Sequence, residues 1–285
     1  MEHIKKPDWL KIKIGTNARY SQTKSIVDAH NLHTICSSGR CPNMCECWGK
    51  GTATFMIAGA ICTRSCKFCN TQSGKPLPLD INEPTNVANS IKMMNLSHAV
   101  ITSVDRDDLD DFGASHWRDT IREIKRVNPN TTIEVLIPDF QGREDLIDMI
   151  IREKPNIMSH NMETVKRITP IVRSVANYET SLKVIKRISS SNIKAKSGIM
   201  VGLGESDEEI EQVMDDLLNN GCSILTIGQY LQPSRKHYPV KEYITPEKFM
   251  YYKKIALEKG FSFVESEPLA RSSYHAEKHV CNMIV

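Results

Sequence analysis

The stretch Thr52-Ala-Thr-Phe-Met-Ile-Ala58 has the composition of a buried strand, and it leads within four positions into Cys62-Thr-Arg-Ser-Cys-Lys-Phe-Cys69. Its residues show little alternation of apolar and polar side chains, which is typical of strands buried on both faces. Six later runs rich in Val, Ile and Thr share this character: residues 98–104, 131–137, 156–160, 195–201, 224–230 and 261–265. We therefore predict seven strands of the buried kind.

Helical stretches separate these strands: residues 83–95, 117–127, 143–152, 179–189, 207–219 and 246–259. Ser206 and Glu209 can form a capping box at the start of one helix. Gly221 and Gly260 stand where C-terminal caps belong. A strand–helix alternation repeated about six times implies parallel strands with right-handed crossovers. The fold class is therefore α/β, a (β/α) barrel that is full or partial, with a partial barrel favoured. Its chemistry would lie at the C-terminal strand ends.

The chain divides into three parts on this reading. Residues 1–50 are polar with scattered turn formers, so we predict an irregular N-terminal arm. Residues 51–265 form the barrel, and residues 266–285 form a C-terminal tail.

Composition excludes several classes of protein. The 285 residues are 25% charged and 40% hydrophobic with a formal net charge of +3, as in an ordinary globular protein. This charge is too small to indicate a nucleic-acid partner. No apolar run has the length of a membrane span, and the N-terminus lacks the apolar core of a secretory signal. We therefore expect a cytoplasmic protein with no nucleic-acid or membrane partner, whose clustered thiols bind metal instead of forming disulfides.

Seven of the nine cysteines lie between Cys36 and Cys69. Cys62, Cys66 and Cys69 form C-x3-C-x2-C, and three thiolates on one short loop can hold three irons of a 4Fe–4S cube. The fourth iron would stay open, which is typical of a catalytic site. The alternative is a zinc knuckle, which would need a fourth Cys or His at matching spacing, and none follows.

This motif after a first barrel strand resembles the signature of the radical S-adenosylmethionine superfamily. The resemblance implies that the open iron binds S-adenosylmethionine and that an electron from the cluster yields a 5′-deoxyadenosyl radical. Phe68 matches an aromatic residue often found between the last two cysteines.

A second set, Cys36, Cys41 and Cys47, gives C-x4-C-x5-C and implies a second 4Fe–4S cluster that also lacks one ligand. This set resembles lipoyl synthases in particular, as does the stretch 51–60. Arg271-Ser-Ser-Tyr274 is similar to the family motif in which a serine oxygen ligates the auxiliary cluster. A hydroxyl binds iron more weakly than a thiolate, which suits a cluster meant to be dismantled. Ser273 is favoured over Ser272, with little to separate them.

Three further segments resemble the family: 102–109, 197–205 and 228–233. The resemblance implies contacts to S-adenosylmethionine or substrate from five residues, namely Phe68, Asn161, Glu163, Arg173 and Gly202. The plainer alternatives are a solvated helix start, a surface arginine and a glycine that only makes a turn.

A few residues depart from the pattern or fall outside it. Cys45 is an extra thiol, either a spare buried one, which is favoured, or a competing iron ligand. Phe112 stands where the family commonly has glycine, so the loop there would be stiffer. His275 and His279 could form a metal pair, although a frayed, solvated pair is favoured near a terminus. Cys222 is expected to be a buried thiol.

The resemblance implies an enzyme that inserts sulfur at carbons 6 and 8 of an octanoyl group on a carrier-protein lysine, with the auxiliary cluster as sulfur source. The partners would be the octanoylated lipoyl-carrier domain and a low-potential electron donor such as ferredoxin or flavodoxin. The nearer rival is an enzyme similar to biotin synthase, a family that lacks the Cys36–Cys47 set. The distant rival is a zinc-binding nucleic-acid module.

Overall fold

The structure is a computed structural model that describes residues 5–12 and 15–281. Its strands are β1 (His33–Thr34), β2 (Thr54–Ile57), β3 (Ile61–Cys62), β4 (Gln72–Ser73), β5 (His98–Ser103), β6 (Thr132–Leu136), β7 (Ile157–Ser159), β8 (Lys194–Val201), β9 (Ile224–Gln229) and β10 (Phe263–Glu267). Its helices are α1 (Ala18–Ala29), α2 (Ile35–Ser38), α3 (Met44–Gly49), α4 (Glu83–Met94), α5 (Ala114–Val127), α6 (Glu144–Ile151), α7 (Thr169–Val172), α8 (Tyr178–Ser189), α9 (Asp207–Asn219), α10 (Pro246–Lys259) and α11 (Lys278–Cys281). None of these described helices combines the length and the apolar character needed to cross a membrane.

Eight strands form one sheet in the order β1-β2-β5-β6-β7-β8-β9-β10. Every neighbouring pair is parallel except β1 with β2, which is antiparallel. Within the described residues β10 does not pair with β1, so the sheet is an open, partial barrel. The prediction of an α/β partial barrel is confirmed, and all seven predicted strands are present.

The helix ends show why sequence patterns located them. Ser206 and Glu209 form the capping box that starts α9, and Gly260 ends α10 with a φ of 120°. Gly221 follows the C-cap of α9 and has a φ of 79°. Both helices have the predicted bounds.

The N-terminal arm is less irregular than predicted. It contains the twelve-residue helix α1, the short helices α2 and α3, and the strand β1. Helix α1 buries only Thr23, Ile26 and Val27, so its sequence carries no clear apolar repeat. Asn17 caps its start, and Tyr20 packs against Trp48 of α3 at a ring distance of 5.4 Å. Tertiary packing therefore holds a helix that its sequence alone does not indicate.

Candidate active site

The C-x3-C-x2-C loop leaves the C-terminal end of β2 and borders a cavity of about 320 Å³. Cys62, Cys66 and Cys69 all line this cavity. Residues at the C-terminal ends of the next strands line it as well, among them Asp105 after β5 and Asp139 after β6. The loop therefore lies where a parallel barrel places its chemistry.

The three thiols are close enough to influence one another. Burial raises the pKa of Cys62 to about 12, with Asp105 as a further cause. Burial also raises the pKa values of Cys66 and Cys69, and Cys66 adds to the rise at Cys69. The thiols are therefore protonated in the metal-free protein, and binding of iron would displace protons.

A buried arginine inside the motif anchors the loop to the barrel. Arg64 donates two hydrogen bonds of 2.8 Å to the Asp107 carboxylate and one of 2.7 Å to Asp139. Its third acidic neighbour, Asp105, lies 3.3 Å away and also approaches the Cys62 thiol, at 3.6 Å. Burial alone would raise the pKa of Asp139, but the bond from Arg64 outweighs it and lowers that pKa. The first thiol is thus fixed to the ends of β5 and β6.

The middle and second half of the loop are held through their backbone N–H and carbonyl groups. Lys67 N–H donates to the Val172 carbonyl at 2.7 Å, and the Lys67 carbonyl accepts from Tyr238 N–H at 2.8 Å. His237 Nε2 lies 3.0 Å from the Cys69 carbonyl, and the Ser174 hydroxyl accepts from Ser65 N–H at 3.1 Å. These contacts tie the loop to residues 172–174 and 237–238.

The second thiol set faces the same cavity from the N-terminal arm. Cys36 and Cys41 line it, and they also line an adjoining cavity of about 220 Å³ that Cys47 borders. Burial raises the pKa of Cys47 to about 12, with Cys36 and Cys41 as the next causes. The structure therefore brings both predicted sets of thiols to one connected space.

The C-terminal tail supplies the serines of this space. Ser273 lines both cavities, whereas Ser272 lines only the first. The Ser272 hydroxyl already accepts a 2.8 Å hydrogen bond from Asn161 Nδ2. Asn43 Nδ2 donates to the Leu269 carbonyl at 2.7 Å, which ties the tail to the second thiol segment. This geometry favours Ser273 over Ser272 as a ligand beside Cys36, Cys41 and Cys47.

Four of the five predicted cofactor-binding residues line the first cavity: Phe68, Asn161, Glu163 and Arg173. Gly202 does not line it. Its φ is 97°, and a Cβ there would clash with the Gln229 side chain and the Glu242 carbonyl. The structure thus gives this glycine a packing role next to β9.

The polar residues on the cavity wall are not solvated surface groups. Burial raises the pKa of Glu163, and Asn161 Nδ2 donates to its carboxylate at 3.1 Å. Arg173 donates to the Ser181 hydroxyl at 2.9 Å. Among the described residues, the buried atoms Asn161 Oδ1 and Arg173 Nε have no hydrogen-bond partner. An acceptor and a cationic donor left open on one wall fit a ligand that carries both an ammonium and a carboxylate.

Among the side chains that the structure describes, no three from His, Cys, Asp or Glu form a ready group for one metal ion. In a 4Fe–4S cube each thiolate binds a different iron.

The structure shows where the two departures from the family pattern, Cys45 and Phe112, lie. Cys45 borders neither thiol cavity and instead lines a third one of about 700 Å³, together with Trp9 and Tyr274. Phe112 has a φ of 51°. Glycine adopts this left-handed conformation most easily, so the position suits the glycine of the pattern.

Two expectations away from the cavities have different outcomes. Cys222 is 2% exposed, as expected of a buried thiol. His279, expected to be frayed and solvated, is also 2% exposed, so that prediction was wrong. Its ring packs edge-on against Phe263 with centroids 4.4 Å apart.

Sequence reasoning missed the acidic partners of Arg64 and a buried charged group beneath the cavity. That group consists of Glu134 in β6, Lys196 in β8 and His279 in the tail. A Glu and a Lys inside apolar strand runs were visible in the sequence and could have indicated it.

Comparison with known proteins agrees with this geometry. The sequence model described as Radical SAM superfamily matches residues 56–217. The lipoyl synthase of Phocaeicola vulgatus is 74% identical over 280 residues, which cover 98% of this chain and 99% of the relative. The lipoyl synthase of Treponema denticola is 60% identical over 276 residues, which cover 97% and 95% of the two chains. Both matches extend over nearly the whole length of each protein.

Solved structures resemble the fold. Streptococcus suis SuiB bound to S-adenosylmethionine aligns with a TM-score of 0.59 at 9% identity, over 79% of this chain and 54% of that one. Methylornithine synthase aligns with a TM-score of 0.56 at 12% identity, over 88% and 83%. At such identities the likeness concerns the fold alone.

Proposed function

Because the chain belongs to the lipoyl synthase family of the radical S-adenosylmethionine superfamily, we propose that its two sets of thiols divide the reaction between a radical-forming site and a sulfur-donating site. The protein is a sulfur-inserting enzyme that uses S-adenosylmethionine and a 4Fe–4S cluster. One observation carries the proposal: Cys36 and Cys41 of the second set border the cavity of the first set, and Cys47 borders the cavity that adjoins it. A substrate carbon in that cavity can meet a radical from one side and a sulfide from the other.

Cys62, Cys66 and Cys69 hold the cluster that binds S-adenosylmethionine. When bound, these groups supply a 5′-deoxyadenosyl radical, which removes hydrogen from an unactivated carbon that no acid–base side chain could deprotonate. The residues around the loop hold it in one position against the barrel. The buried Arg64 supports this role, because its bonds to three carboxylates fix the loop to the barrel.

The wall formed by Phe68, Asn161, Glu163 and Arg173 binds S-adenosylmethionine or the substrate. The unpartnered Arg173 Nε supports a contact with a carboxylate, and the unpartnered Asn161 Oδ1 supports a contact with an ammonium group. Phe68 contributes an apolar surface next to the thiols. We leave Gly202 outside this set because its conformation and packing account for it.

Cys36, Cys41, Cys47 and Ser273 hold a second 4Fe–4S cluster, which is consumed as the source of sulfur. The position of Ser273 between the two cavities supports it as the fourth ligand. An oxygen ligand binds iron less firmly than a thiolate, so Ser273 would hold the cluster more weakly than the three cysteines would.

The substrate is an octanoyl group on a lysine of a lipoyl-carrier domain, which receives sulfur at carbons 6 and 8. A long, flexible octanoyl-lysine arm suits a reaction centre that lies inside a barrel mouth and behind a loop. A low-potential donor such as ferredoxin or flavodoxin supplies electrons. We place the reaction in the cytoplasm, because the eight cysteines with described side chains are all free thiols.

Anaerobic reconstitution tests this function. The protein is loaded with iron and sulfide and given S-adenosylmethionine, reductant and an octanoyl-lysine peptide, and mass spectrometry follows the peptide and 5′-deoxyadenosine. We expect about eight irons per chain, as in two cubes of four, and a gain of two sulfurs. Formation of no deoxyadenosine would end the radical hypothesis.

Two variants separate the sites. Cys62→Ala should abolish formation of deoxyadenosine, whereas Cys41→Ala should retain it and lose the gain of sulfur. A lipoyl product from Cys41→Ala would show that the second cluster is not the sulfur donor. A colourless protein that binds one zinc would support the nucleic-acid module. Loading with only four irons per chain would favour an enzyme that holds a single 4Fe–4S cube.

A further inference from the structure

A charged group lies fully buried beneath the active-site cavity, and the reaction described above does not use it. Glu134, Lys196 and His279 are 1%, 0% and 2% exposed. Lys196 Nζ lies 2.6 Å from Glu134 Oε1, and Glu134 lines the cavity. His98 approaches the other carboxylate oxygen of Glu134 at 3.8 Å. A buried ion pair contributes little net stability compared with well-packed apolar side chains, so stability alone does not explain this group.

The three donors of the Lys196 ammonium show what the group holds. One faces Glu134, the second donates to the Ser272 carbonyl at 2.5 Å, and the third lies 3.2 Å from His279 Nδ1. An ammonium group has three N–H donors, so all of them are used. Two of the three contacts are with the C-terminal tail, one on each side of Ser273.

Ser272 is thus held twice. Its carbonyl is bound by Lys196 and its hydroxyl by Asn161 Nδ2 at 2.8 Å. Because these two bonds fix Ser272 to the barrel interior, the next residue, Ser273, lies at the border of both cavities beside the second set of thiols. The tail has no regular structure between β10 and α11. Its other bonds to the barrel and the arm involve Pro268, Leu269 and Tyr274, whereas the bonds from Lys196 and Asn161 hold Ser272 itself.

We propose that Lys196, held by Glu134, is a positioning residue. It binds the tail at Ser272 and His279 and thereby orients Ser273 toward the auxiliary cluster. The inference rests on the proposed function, because it takes Ser273 as a cluster ligand. It adds that the strength of this weak oxygen ligand is set from inside the barrel, more than 70 residues away in the sequence. Loss of the contacts between Lys196 and the tail should make the cluster lose iron faster.

The test uses the full chain with Cys62, Cys66 and Cys69 changed to Ala, so that only the second site can load. Into this background we place Glu134→Gln with Lys196→Met, which removes both buried charges together and avoids leaving one unpaired. Ser273→Ala is made separately, and the two changes are then combined. A matched control, Glu83→Gln with His116→Gln, removes another buried ionisable pair, whose atoms lie 2.5 Å apart and whose described hydrogen bonds involve Ala58 and not the tail.

Two measurements do not depend on turnover. Hydrogen exchange of residues 268–279 in the metal-free protein should be at least about tenfold faster in the Glu134/Lys196 variant, because the charge-assisted hydrogen bond to the Ser272 carbonyl and the contact with His279 are both lost. Iron loss to a chelator, followed with the Mössbauer signal of the oxygen-ligated iron, should accelerate by a similar factor. Ser273→Ala should show the same acceleration of iron loss, and the combined variant should show no more, because the two changes act on one ligand. The control should match the parent.

The outcomes separate the two hypotheses. If the parent with three alanines binds no cube, the proposed function fails. If it binds four irons and Ser273→Ala loses iron quickly while the Glu134/Lys196 variant behaves as the parent, only the positioning role is overturned. Additive effects in the combined variant would also overturn it. Should the Glu134/Lys196 variant not fold, His279→Leu keeps the ion pair and should give a smaller acceleration in the same direction, and no change there would refute the inference.

Discussion

Replacement of Arg64 by Met should destabilise the metal-free protein by about 4 kcal/mol. The side chain is 4% exposed, and its partner Asp139 is 2% exposed, so removal of the cation leaves a buried carboxylate unpaired, which costs about 3–5 kcal/mol. The other two acidic partners, Asp105 and Asp107, are 25% and 19% exposed, and water can partly replace the lost contacts. They add at most about 1 kcal/mol.

Urea unfolding of the reduced, metal-free protein measures this loss as a change in the free energy of unfolding. Arg106→Met is the matched control, because Arg106 is also a buried arginine but pairs with a single carboxylate, Asp108, that is 35% exposed. We expect about 2 kcal/mol for the control, mainly from the lost bond to the Ala58 carbonyl.

A double-mutant cycle with Asp139→Asn assigns the effect to the pair. Arg64→Met should cost much less when Asp139 is already neutral, which gives a coupling free energy of at least about 2 kcal/mol. A loss below about 1 kcal/mol for Arg64→Met, or strict additivity in the cycle, would refute the view that this arginine anchors the cysteine loop.

Three further predictions concern stability and metal content. Burial lowers the pKa of His160 to about 4, so the unfolded chain binds the proton at a higher pH than the folded protein does, and the free energy of unfolding should fall by about 3 kcal/mol as pH drops from about 6.5 to about 4. Urea unfolding of His160→Gln should lack this dependence of the unfolding free energy on pH, and an unchanged dependence would contradict the prediction. Cys45→Ser should keep the iron content of the reconstituted parent, whereas Cys47→Ser should lose about four irons, and iron loss in the first variant would make Cys45 a ligand. Gly202→Ala should lower the unfolding free energy by at least about 2 kcal/mol, against about 1 kcal/mol for Gly260→Ala, because both glycines have positive φ but only a Cβ at position 202 would contact other atoms. Equal losses of stability in the two variants would contradict the packing role of Gly202.

Local signals explain how much of the barrel was predictable. Helices α9 and α10 were located to the residue because a capping box and a C-terminal glycine mark their ends. The seven strands were found because unbroken apolar runs reflect burial on two faces. The spacing of the six cysteines indicated both sets of thiols without any knowledge of the fold.

What the sequence could not show depends on contacts between distant residues. Helix α1 has no apolar repeat of its own and exists because Tyr20 and Thr23 pack on Trp48 and its carbonyl. His279 near the chain end looks like a solvated residue until residues 134 and 196 are brought beside it. Ser272 and Ser273 are equivalent in sequence, and they are distinguished only by the bond from Asn161 to Ser272 and by the cavities that each serine borders, both of which depend on the fold.

The open barrel itself explains where the second thiol site can form. Strand β1, which directly precedes Cys36, lies at one edge of the sheet, and β10, which precedes the tail, lies at the other. The arm and the tail meet between these unpaired edges, where Asn43 binds the Leu269 carbonyl and the Tyr274 hydroxyl approaches the Glu46 carboxylate at 3.3 Å. In a closed barrel, β1 and β10 would pair directly, and this space would not exist. The incomplete sheet is therefore what gives a second set of ligands access to the cavity that the first set borders.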